Sequence, residues 1–304
     1  MKNGSLLSIL FTAITLSACA QQDINGSVSV GNVKREYILH LPRAYKSSLK
    51  LPLLLIFHGG GGNAKQMQGY MAMDAIADRE SFISLYPQGI NKQWNDGREF
   101  KEAIAANDDV QFINQVLDSV VLHYAVDTGR IFATGISNGG FFSIYLSYKL
   151  SNRLLAVAPI CASIPERIYD EFKPAVPVSV LLINGTKDPL VPYNGGDVGN
   201  KLTGSRGRCT STDKTIQKYL SVNNISIEPV VENLPDNNRQ DDCTAVKYSY
   251  SKGRINVTLL KIINGGHTIP GRSQYLPKFI VGKVCKDFEA NEMLWEFFKS
   301  CGKR

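Results

Sequence analysis

Ser137 stands at the centre of a Gly-X-Ser-X-Gly pentapeptide that covers residues 135–139. A short apolar segment, residues 131–134, precedes the pentapeptide, and apolar side chains at helical spacing follow it. This order predicts a strand, a sharp turn and a helix, with the serine hydroxyl exposed at the turn as a nucleophile. The flanking glycines permit the strained backbone that such a turn needs. Because the pattern occurs by chance in roughly one chain of this length in ten, the prediction depends on the surrounding residues.

A serine hydroxyl needs a neighbouring base that removes its proton before it attacks a carbonyl. The sequence contains four histidines. Three have ordinary structural interpretations: His40 lies in a predicted strand, His58 precedes a glycine run, and His123 lies on an amphipathic helix. His267 instead follows the last predicted strand within a glycine-rich loop, residues 264–268. Such a loop can hold an imidazole above the sheet, so we predict that His267 is the base.

The imidazole in turn needs a carboxylate that holds its tautomer and stabilises the imidazolium. Asp188 lies in the turn that follows a predicted buried strand, residues 178–184. The chain order is then Ser137, Asp188, His267, which is the order of α/β-hydrolases rather than of the chymotrypsin or subtilisin folds. Asp188 also precedes a proline, where aspartate often only forms a turn, so the assignment depends on this order.

A tetrahedral intermediate needs hydrogen-bond donors for its oxyanion. His58 begins a glycine run, residues 59–62, directly after a predicted buried strand. The run matches the loop that supplies backbone N–H groups in α/β-hydrolases, beside the N–H of the residue after the nucleophile. We therefore predict an oxyanion hole at Gly59, Gly60 and Asn138. The run lacks the GxxxxGK[ST] pattern of a phosphate-binding loop, and a merely flexible loop is the other interpretation.

The rest of the chain contains the elements that can position these residues. Short, nearly continuous apolar segments are typical of parallel strands that are covered on both faces. They occupy residues 53–57, 82–86, 131–134, 154–160, 178–184 and 257–263. Helical periodicity at residues 109–124 and 288–298, and an antiparallel hairpin at residues 27–41, complete the pattern. Alternating strands and helices predict an α/β-hydrolase fold, with a mostly parallel central sheet and helices on both faces.

The composition indicates a soluble globular protein, and the length suits one large α/β domain as well as two small ones. The 304 residues are 43% apolar and 20% charged, which is enough for a substantial core. We predict a single domain at residues 21–304, with an excursion at about residues 193–250 that is rich in Gly, Asn, Asp and Ser. The net charge of +7 is spread along the chain without a Lys/Arg run, so we predict no nucleic-acid partner.

Residues 1–20 predict an export signal. Lys2 precedes an uncharged apolar stretch, residues 6–16, that is too short for a permanent membrane span. The residues that follow resemble the lipobox of bacterial lipoproteins, in which Cys19 is lipidated, and they also fit an ordinary signal-peptidase site. We therefore expect an exported protein, either an outer-membrane lipoprotein that contacts the membrane only through its N-terminal lipid, or a periplasmic or secreted protein.

Five cysteines remain after the signal, and they are Cys161, Cys209, Cys243, Cys285 and Cys301. An odd number in an exported protein suggests two disulfides and one free thiol. Cys161 adjoins an apolar stretch that is typical of a buried strand, so we predict the bridges Cys209–Cys243 and Cys285–Cys301, although sequence alone does not define the pairing. None of the cysteine and histidine spacings indicates zinc.

Several further motifs together resemble those of a known family. They cover residues 37–42, 58–60, 86–89, 107–110, 126–131 and 265–268, beside the segment around Ser137. The chain resembles the exported serine esterases grouped with polyhydroxybutyrate depolymerases, feruloyl esterases and acetylxylan esterases, from about residue 26 to residue 298. The resemblance implies that Ser137, Asp188 and His267 hydrolyse carboxylic esters through an acyl-enzyme, without metal or cofactor.

Two positions bear on the substrate. Trp94 resembles a pocket residue of these esterases, although a single tryptophan in a loop equally often only packs. Many relatives have His-Thr-Trp-Pro-Gly where this chain has Ile269 in place of the tryptophan. We therefore expect an aromatic wall to be missing beside the base, which leaves the acyl group open.

The sequence shows no second module that could grip an insoluble polymer. We therefore expect a small-molecule or oligosaccharide ester as substrate, with feruloyl or acetyl groups on polysaccharide or short hydroxyalkanoate esters as the candidates. We also expect a monomer. A serine peptidase of the same fold, and an inactive binding lipoprotein that retains the fold, are the alternatives.

Overall fold

The computed structural model describes residues 22–99, 107–199 and 204–303. Its strands are β1 (Gln22–Val30), β2 (Val33–Leu41), β3 (Leu51–Phe57), β4 (Ile83–Pro87), β5 (Val126–Ile136), β6 (Ala156–Ile160), β7 (Ser179–Gly185), β8 (Gly196–Asp197), β9 (Arg208–Cys209), β10 (Val230–Asn233), β11 (Thr244–Lys252) and β12 (Ile255–Ile263). Its helices are α1 (Ala64–Met71), α2 (Asp74–Glu80), α3 (Asp109–His123), α4 (Asn138–Lys149), α5 (Thr212–Val222), α6 (Lys278–Val281) and α7 (Ala290–Ser300).

A ten-stranded sheet organises the described residues, in the order β1-β2-β4-β3-β5-β6-β7-β12-β11-β10. The central strands from β4 to β12 are parallel, and antiparallel strands flank them on both edges. Strands β8 and β9 pair separately. Each apolar segment that predicted a parallel strand lies in this central part, so the predicted mostly parallel sheet is confirmed.

Two apolar layers cover the sheet, because successive side chains of a strand point to opposite faces. Leu53 and Leu55 of β3 pack with the apolar sides of α3, α4 and α5 on one face. Leu54 and Ile56 pack with α1, α2 and α7 on the other face. Helices therefore lie on both faces, as the sequence predicts, and the carboxyl ends of the parallel strands share one edge.

The predicted excursion at residues 193–250 is only partly an excursion. Its second half supplies β10 and β11, which extend the main sheet antiparallel to β12. The four residues of β10 are all exposed, so this edge strand lacks the alternation of buried and exposed side chains that predicts a strand. In the first half, Ile216 and Tyr219 of α5 pack into the core on one face of the sheet.

The predicted disulfides are wrong for this structure, in which all five described cysteines are buried free thiols. Cys209 packs in the apolar layer that contains α4, whereas Cys243 packs in the layer on the opposite face. The sheet therefore separates this pair. Cys285 accepts a backbone hydrogen bond from Gly271, beyond the carboxyl end of β12, whereas Cys301 ends α7. The sequence analysis assigned the bridges by setting Cys161 aside as the free thiol, whereas in the structure Cys285 and Cys301 are free as well.

The predicted signal and Cys19 lie outside the described residues. Among the helices that the structure does describe, none combines the length and the apolar character required to cross a membrane.

Candidate active site

Ser137 occupies a strained turn between β5 and α4. Its backbone angles are φ 57° and ψ −124°, a conformation that residues with a side chain rarely adopt. The turn is also tightly packed: a Cβ added to Gly135 would lie 2.7 Å from the Phe57 carbonyl oxygen, and one added to Gly139 would lie 2.4 Å from the same atom. The glycines on both sides of Ser137 are thus required by backbone contact with the end of β3, as in a nucleophile elbow.

His267 and Asp188 form a buried hydrogen-bonded pair. The His267 Nδ1 lies 2.7 Å from the Asp188 Oδ2, and each side chain is 2% exposed. The other carboxylate oxygen of Asp188 accepts backbone N–H bonds from Leu190 and Val191, both at 2.8 Å. These donors fix the carboxylate, so it holds the proton of the imidazole on Nδ1. The Nε2 atom is then left as a hydrogen-bond acceptor.

Two loops hold this pair together at the carboxyl ends of β7 and β12. The Lys187 N–H donates to the Gly265 carbonyl oxygen at 2.9 Å, and the Asn264 N–H donates to the Thr186 hydroxyl at 2.9 Å. A Cβ on Gly185 would lie only 2.3 Å from the Gly265 oxygen. The close approach of these two loops therefore requires glycine at position 185.

The glycine run after β3 covers the serine. The Cβ position of Gly59 lies 3.7 Å from the Ser137 Cβ. Among the described residues, the recorded hydrogen bonds give no protein acceptor to the backbone N–H groups of Gly59, Gly60 and Asn138. Unsatisfied N–H groups next to a serine can bind a developing oxyanion.

His58 braces this loop. Its Nδ1 lies 2.8 Å from the Gly59 carbonyl oxygen, and its Nε2 accepts the Gly89 N–H at 3.0 Å. These partners require the neutral ring with its proton on Nδ1. Burial lowers the pKa of His58, which also favours the neutral form. The structural interpretation of His58 therefore agrees with its surroundings, and its position makes it a support of the loop.

A buried polar network, which our sequence analysis missed, holds Asn138. The Asn138 Nδ2 donates to the Asp96 Oδ2 at 2.6 Å and to the Trp94 carbonyl oxygen at 3.0 Å. Asp96 in turn binds the Arg98 guanidinium at 2.6 Å, and this guanidinium lies 4.0 Å from the centre of the Phe141 ring. Only the pair of opposite charges two residues apart signals this network in the sequence.

The prediction that Trp94 lines the pocket is wrong in this structure. Trp94 is 0% exposed. Its ring stacks on Phe142 at 5.0 Å and meets Phe57 edge-on at 5.3 Å. The indole N–H donates to the His58 carbonyl oxygen at 3.0 Å. Trp94 therefore supports the glycine loop and Asn138 from beneath, because its indole N–H bonds His58 and its carbonyl oxygen accepts a hydrogen bond from Asn138.

A cavity of about 530 Å³ brings the predicted nucleophile and the predicted base together. Ser137, His267 and the glycine run line it, with apolar side chains from α1 and from residues 275–280. No hydrogen bond between the Ser137 and His267 side chains is recorded within the described ranges. In unliganded enzymes catalytic hydrogen bonds are often long and tighten only in the substrate complex, so the shared cavity is the relevant observation.

The expected loss of an aromatic wall is also wrong. Ile269 is fully buried and packs in the core rather than in the cavity. Tyr70 and Tyr275 line the cavity instead, with their ring centres 5.6 Å apart, and the Tyr275 hydroxyl donates to the His267 carbonyl oxygen at 3.1 Å. Neither tyrosine belongs to a motif of the sequence, which is why they were missed.

The Cys161 thiol lies behind the histidine and aspartate pair. Its sulfur is 3.5 Å from the Thr268 carbonyl oxygen, and burial, with the negative charge of Asp188 as a second cause, raises its pKa well above the ordinary value. Cys161, Asp188 and His267 have ligand atoms close enough to share a metal ion. The hydrogen bonds already made by both Asp188 oxygens instead describe a carboxylate that orients an imidazole.

Comparison with known proteins agrees with this geometry. Residues 45–219, more than half of the chain, match the phospholipase/carboxylesterase family of α/β-hydrolases. The chain belongs to this family. The family is described as phospholipase/carboxylesterase and the relatives are named as esterases, so the resemblance that the sequence motifs indicate is confirmed at this level.

Individual relatives point the same way. The chain is 29% identical to feruloyl esterase B of Piromyces equi over 239 residues, which cover 77% of this chain and 42% of that enzyme. It is 30% identical to feruloyl esterase C of Emericella nidulans over 186 residues, which cover 59% of this chain and 64% of that enzyme. The chain thus spans less than two thirds of the length of both relatives. An acetyl xylan esterase from Aspergillus awamori shares the fold, with a TM-score of 0.58 at 12% identity over 81% of this chain and 95% of that one.

Proposed function

We propose that this protein is a serine carboxylesterase that works through an acyl-enzyme. The observation that carries the proposal is the buried His267–Asp188 pair in the same cavity as a serine held in a strained turn. Family membership supports the proposal, because the relatives are named as carboxylic ester hydrolases.

In the first half of the reaction, the Ser137 Oγ attacks the ester carbonyl while the His267 Nε2 takes the hydroxyl proton. Asp188 holds the ring through Nδ1 and stabilises the imidazolium that forms. The oxyanion binds to the free N–H groups of the Gly59–Gly60 segment and Asn138. His267 then gives its proton to the leaving alcohol, which leaves an ester bond between the acyl group and Ser137.

In the second half, a water molecule replaces the alcohol. His267 takes a proton from this water, the resulting oxygen nucleophile attacks the acyl-enzyme, and the carboxylic acid leaves as the Ser137 oxygen recovers its proton. Both halves use the same base and the same backbone N–H donors.

The substrate that we propose is a soluble acyl ester, with feruloyl or acetyl groups on an oligosaccharide or a short hydroxyalkanoate ester as candidates. The cavity of about 530 Å³ is within the usual size of a small-molecule site. Tyr70 and Tyr275 give it aromatic surface, which supports an acyl group that carries a ring.

The experiment compares Ser137→Ala with the parent protein on 4-nitrophenyl acetate and butyrate. We expect the variant to lose turnover while its circular dichroism spectrum and unfolding midpoint stay close to those of the parent. Ser143→Ala is the control, since Ser143 lies on α4, the helix that follows Ser137, is buried, and donates its hydroxyl to the Gly139 carbonyl oxygen. Undiminished turnover by Ser137→Ala would remove Ser137 as the nucleophile.

We also propose that the protein is exported and that Cys19 carries a lipid. The support is the signal-like sequence of residues 1–20. Expression of the full chain in a bacterium fed radiolabelled palmitate should label the protein, and Cys19→Ser should abolish the label. Equal labelling of both forms would refute lipidation at this residue.

A further inference from the structure

Arg206 lies at the mouth of the active-site cavity, over the glycine run. It lines the same cavity as Ser137 and His267. Its Nη1 atom is 3.2 Å from the position that a Cβ on Gly60 would occupy, and the Gln93 Oε1 is 2.9 Å from that position. The side chain is half-buried, so its charge is neither in the core nor freely solvated.

The backbone on which Arg206 sits is fixed to the site. Its N–H donates to the Val198 carbonyl oxygen at 2.8 Å, and the Val198 N–H donates back to the Gly207 carbonyl oxygen at 2.8 Å. The neighbouring Gly199 N–H donates to the Leu190 carbonyl oxygen at 2.7 Å. Leu190 itself lines the cavity and donates its N–H to Asp188. The guanidinium is therefore carried on the same framework that orients the base.

Within the described ranges, no carboxylate lies within ion-pair distance of Arg206. The contrast with Arg208 is direct, because that arginine pairs with Glu166 at 2.8 Å and with Asp197 at 3.2 Å. The described residues that line the cavity include no aspartate or glutamate. Arg206 is thus the only permanent charge among the described lining residues, and it has no counterion there.

We propose that Arg206 binds a carboxylate carried by the ester substrate. A half-buried charge without a partner is unfavourable, and the planar guanidinium presents paired donors that match a carboxylate. The inference rests on the proposed esterase function, because it assigns the substrate class of that same cavity. Arg206 would favour anionic esters. The carboxylate lies either on the alcohol, as in a hydroxyacid or uronic acid, or on the acyl chain.

The experiment uses two matched pairs of esters that separate these sources. In the first pair, 3-acetoxybutyrate has a carboxylate on the alcohol side, and 3-acetoxybutyramide is its neutral counterpart. In the second pair, monomethyl glutarate has a carboxylate on the acyl side, and methyl valerate is its neutral counterpart. We expect kcat/KM of the parent protein to favour the anionic member of one pair at least about tenfold, the range of a hydrogen bond to a charged group. The preference should decrease as salt is added.

The variant Arg206→Gln should bring the ratio of kcat/KM between the anionic and the neutral ester close to one. Arg206→Lys should retain part of the preference for the anionic ester. Arg208→Gln is the matched control, since it removes an arginine two residues away that lines a different depression, and it should leave the ratio unchanged. A ratio near one for the parent in both pairs, or a ratio that Arg206→Gln does not alter, would overturn the proposal. The failure of the parent to cleave any of the four esters, and 4-nitrophenyl acetate as well, would instead refute the esterase function.

Discussion

The Asp96–Arg98 pair beneath the oxyanion loop gives a prediction that can be worked out from the structure. Asp96 is 0% exposed, and the Arg98 side chain is 2% exposed. The carboxylate accepts bonds from Arg98 Nη2 at 2.6 Å, from its Nε at 3.1 Å and from Asn138 Nδ2 at 2.6 Å. The substitution Asp96→Ala removes all of these acceptors, so the buried Arg98 guanidinium loses the Asp96 carboxylate.

Breaking a buried pair from one side typically costs about 3–5 kcal/mol, whereas replacing both partners with apolar groups is often nearly neutral. We therefore expect Asp96→Ala to lower the free energy of unfolding by about 3–5 kcal/mol. The double variant Asp96→Ala/Arg98→Met should be more stable than Asp96→Ala alone.

Urea-induced unfolding, followed by circular dichroism, measures the free energy of unfolding of the parent, Asp96→Ala and Asp96→Ala/Arg98→Met. Turnover of 4-nitrophenyl acetate, measured where each is folded, tests the connection to the site. Because Asn138 loses a side-chain anchor in both Asp96 variants, kcat should fall in both by up to about 10²-fold, the lower end for loss of an oxyanion donor. A loss of stability below about 1 kcal/mol for Asp96→Ala, or a double variant less stable than the single, would refute the reasoning.

Three further predictions concern single positions. Gly139→Ala should strongly destabilise the protein, because the added Cβ would lie 2.4 Å from a backbone oxygen. Gly69→Ala, on an open helix surface, should be neutral or stabilise the protein by up to about 1 kcal/mol. Thermal unfolding compares the two variants, and equal midpoints would contradict the packing argument. Burial lowers the pKa of His58 below its ordinary 6.5. As pH falls through about 6.5, the unfolded chain therefore binds a proton at His58 that the folded chain does not bind, and the free energy of unfolding decreases. His58→Gln should reduce the dependence of unfolding free energy on pH between 7.5 and 5.5, and an unchanged slope would be inconsistent with a neutral buried ring. Asp188→Asn should lower kcat by about 10³–10⁴ while the protein stays folded, since an amide that donates to the His267 Nδ1 favours the wrong tautomer; a change below tenfold would separate Asp188 from the chemistry.

Much of the fold could be predicted from the sequence. The apolar segments that became β3, β5 and β7 are buried on both faces, so their continuous hydrophobicity identifies them without tertiary information. Helix α1 was not predicted, although its buried Ala64, Met67 and Met71 have helical spacing. Its polar residues and an internal glycine weaken the pattern.

The candidate site was predictable where the chemistry constrains residue type. Ser137, Asp188 and His267 each follow a strand, and parallel strands bring such positions to one edge. The remaining parts depend on packing that no local pattern encodes. Trp94 was assigned to the pocket by resemblance, yet its indole N–H bonds the backbone beneath the glycine loop. Tyr275 reaches the cavity only because its segment folds back beside the base.

The sequence likewise could not define the cysteine pairing, because pairing depends on which face of the sheet each thiol occupies. Cys209 and Cys243 lie 34 residues apart in the sequence but in different apolar layers. Charge compensation is also a property of the folded chain, so only the structure distinguishes Arg206 from the paired Arg208.

The central claim is that His267 activates Ser137 as a nucleophile, and covalent labelling tests it most directly. Treatment with a fluorophosphonate, followed by mass spectrometry of the digested protein, should find the adduct on Ser137. The rate of labelling should fall by orders of magnitude in folded His267→Ala, because the base that takes the hydroxyl proton is gone. An adduct on another residue, or labelling of Ser137 at an undiminished rate in His267→Ala, would contradict the account.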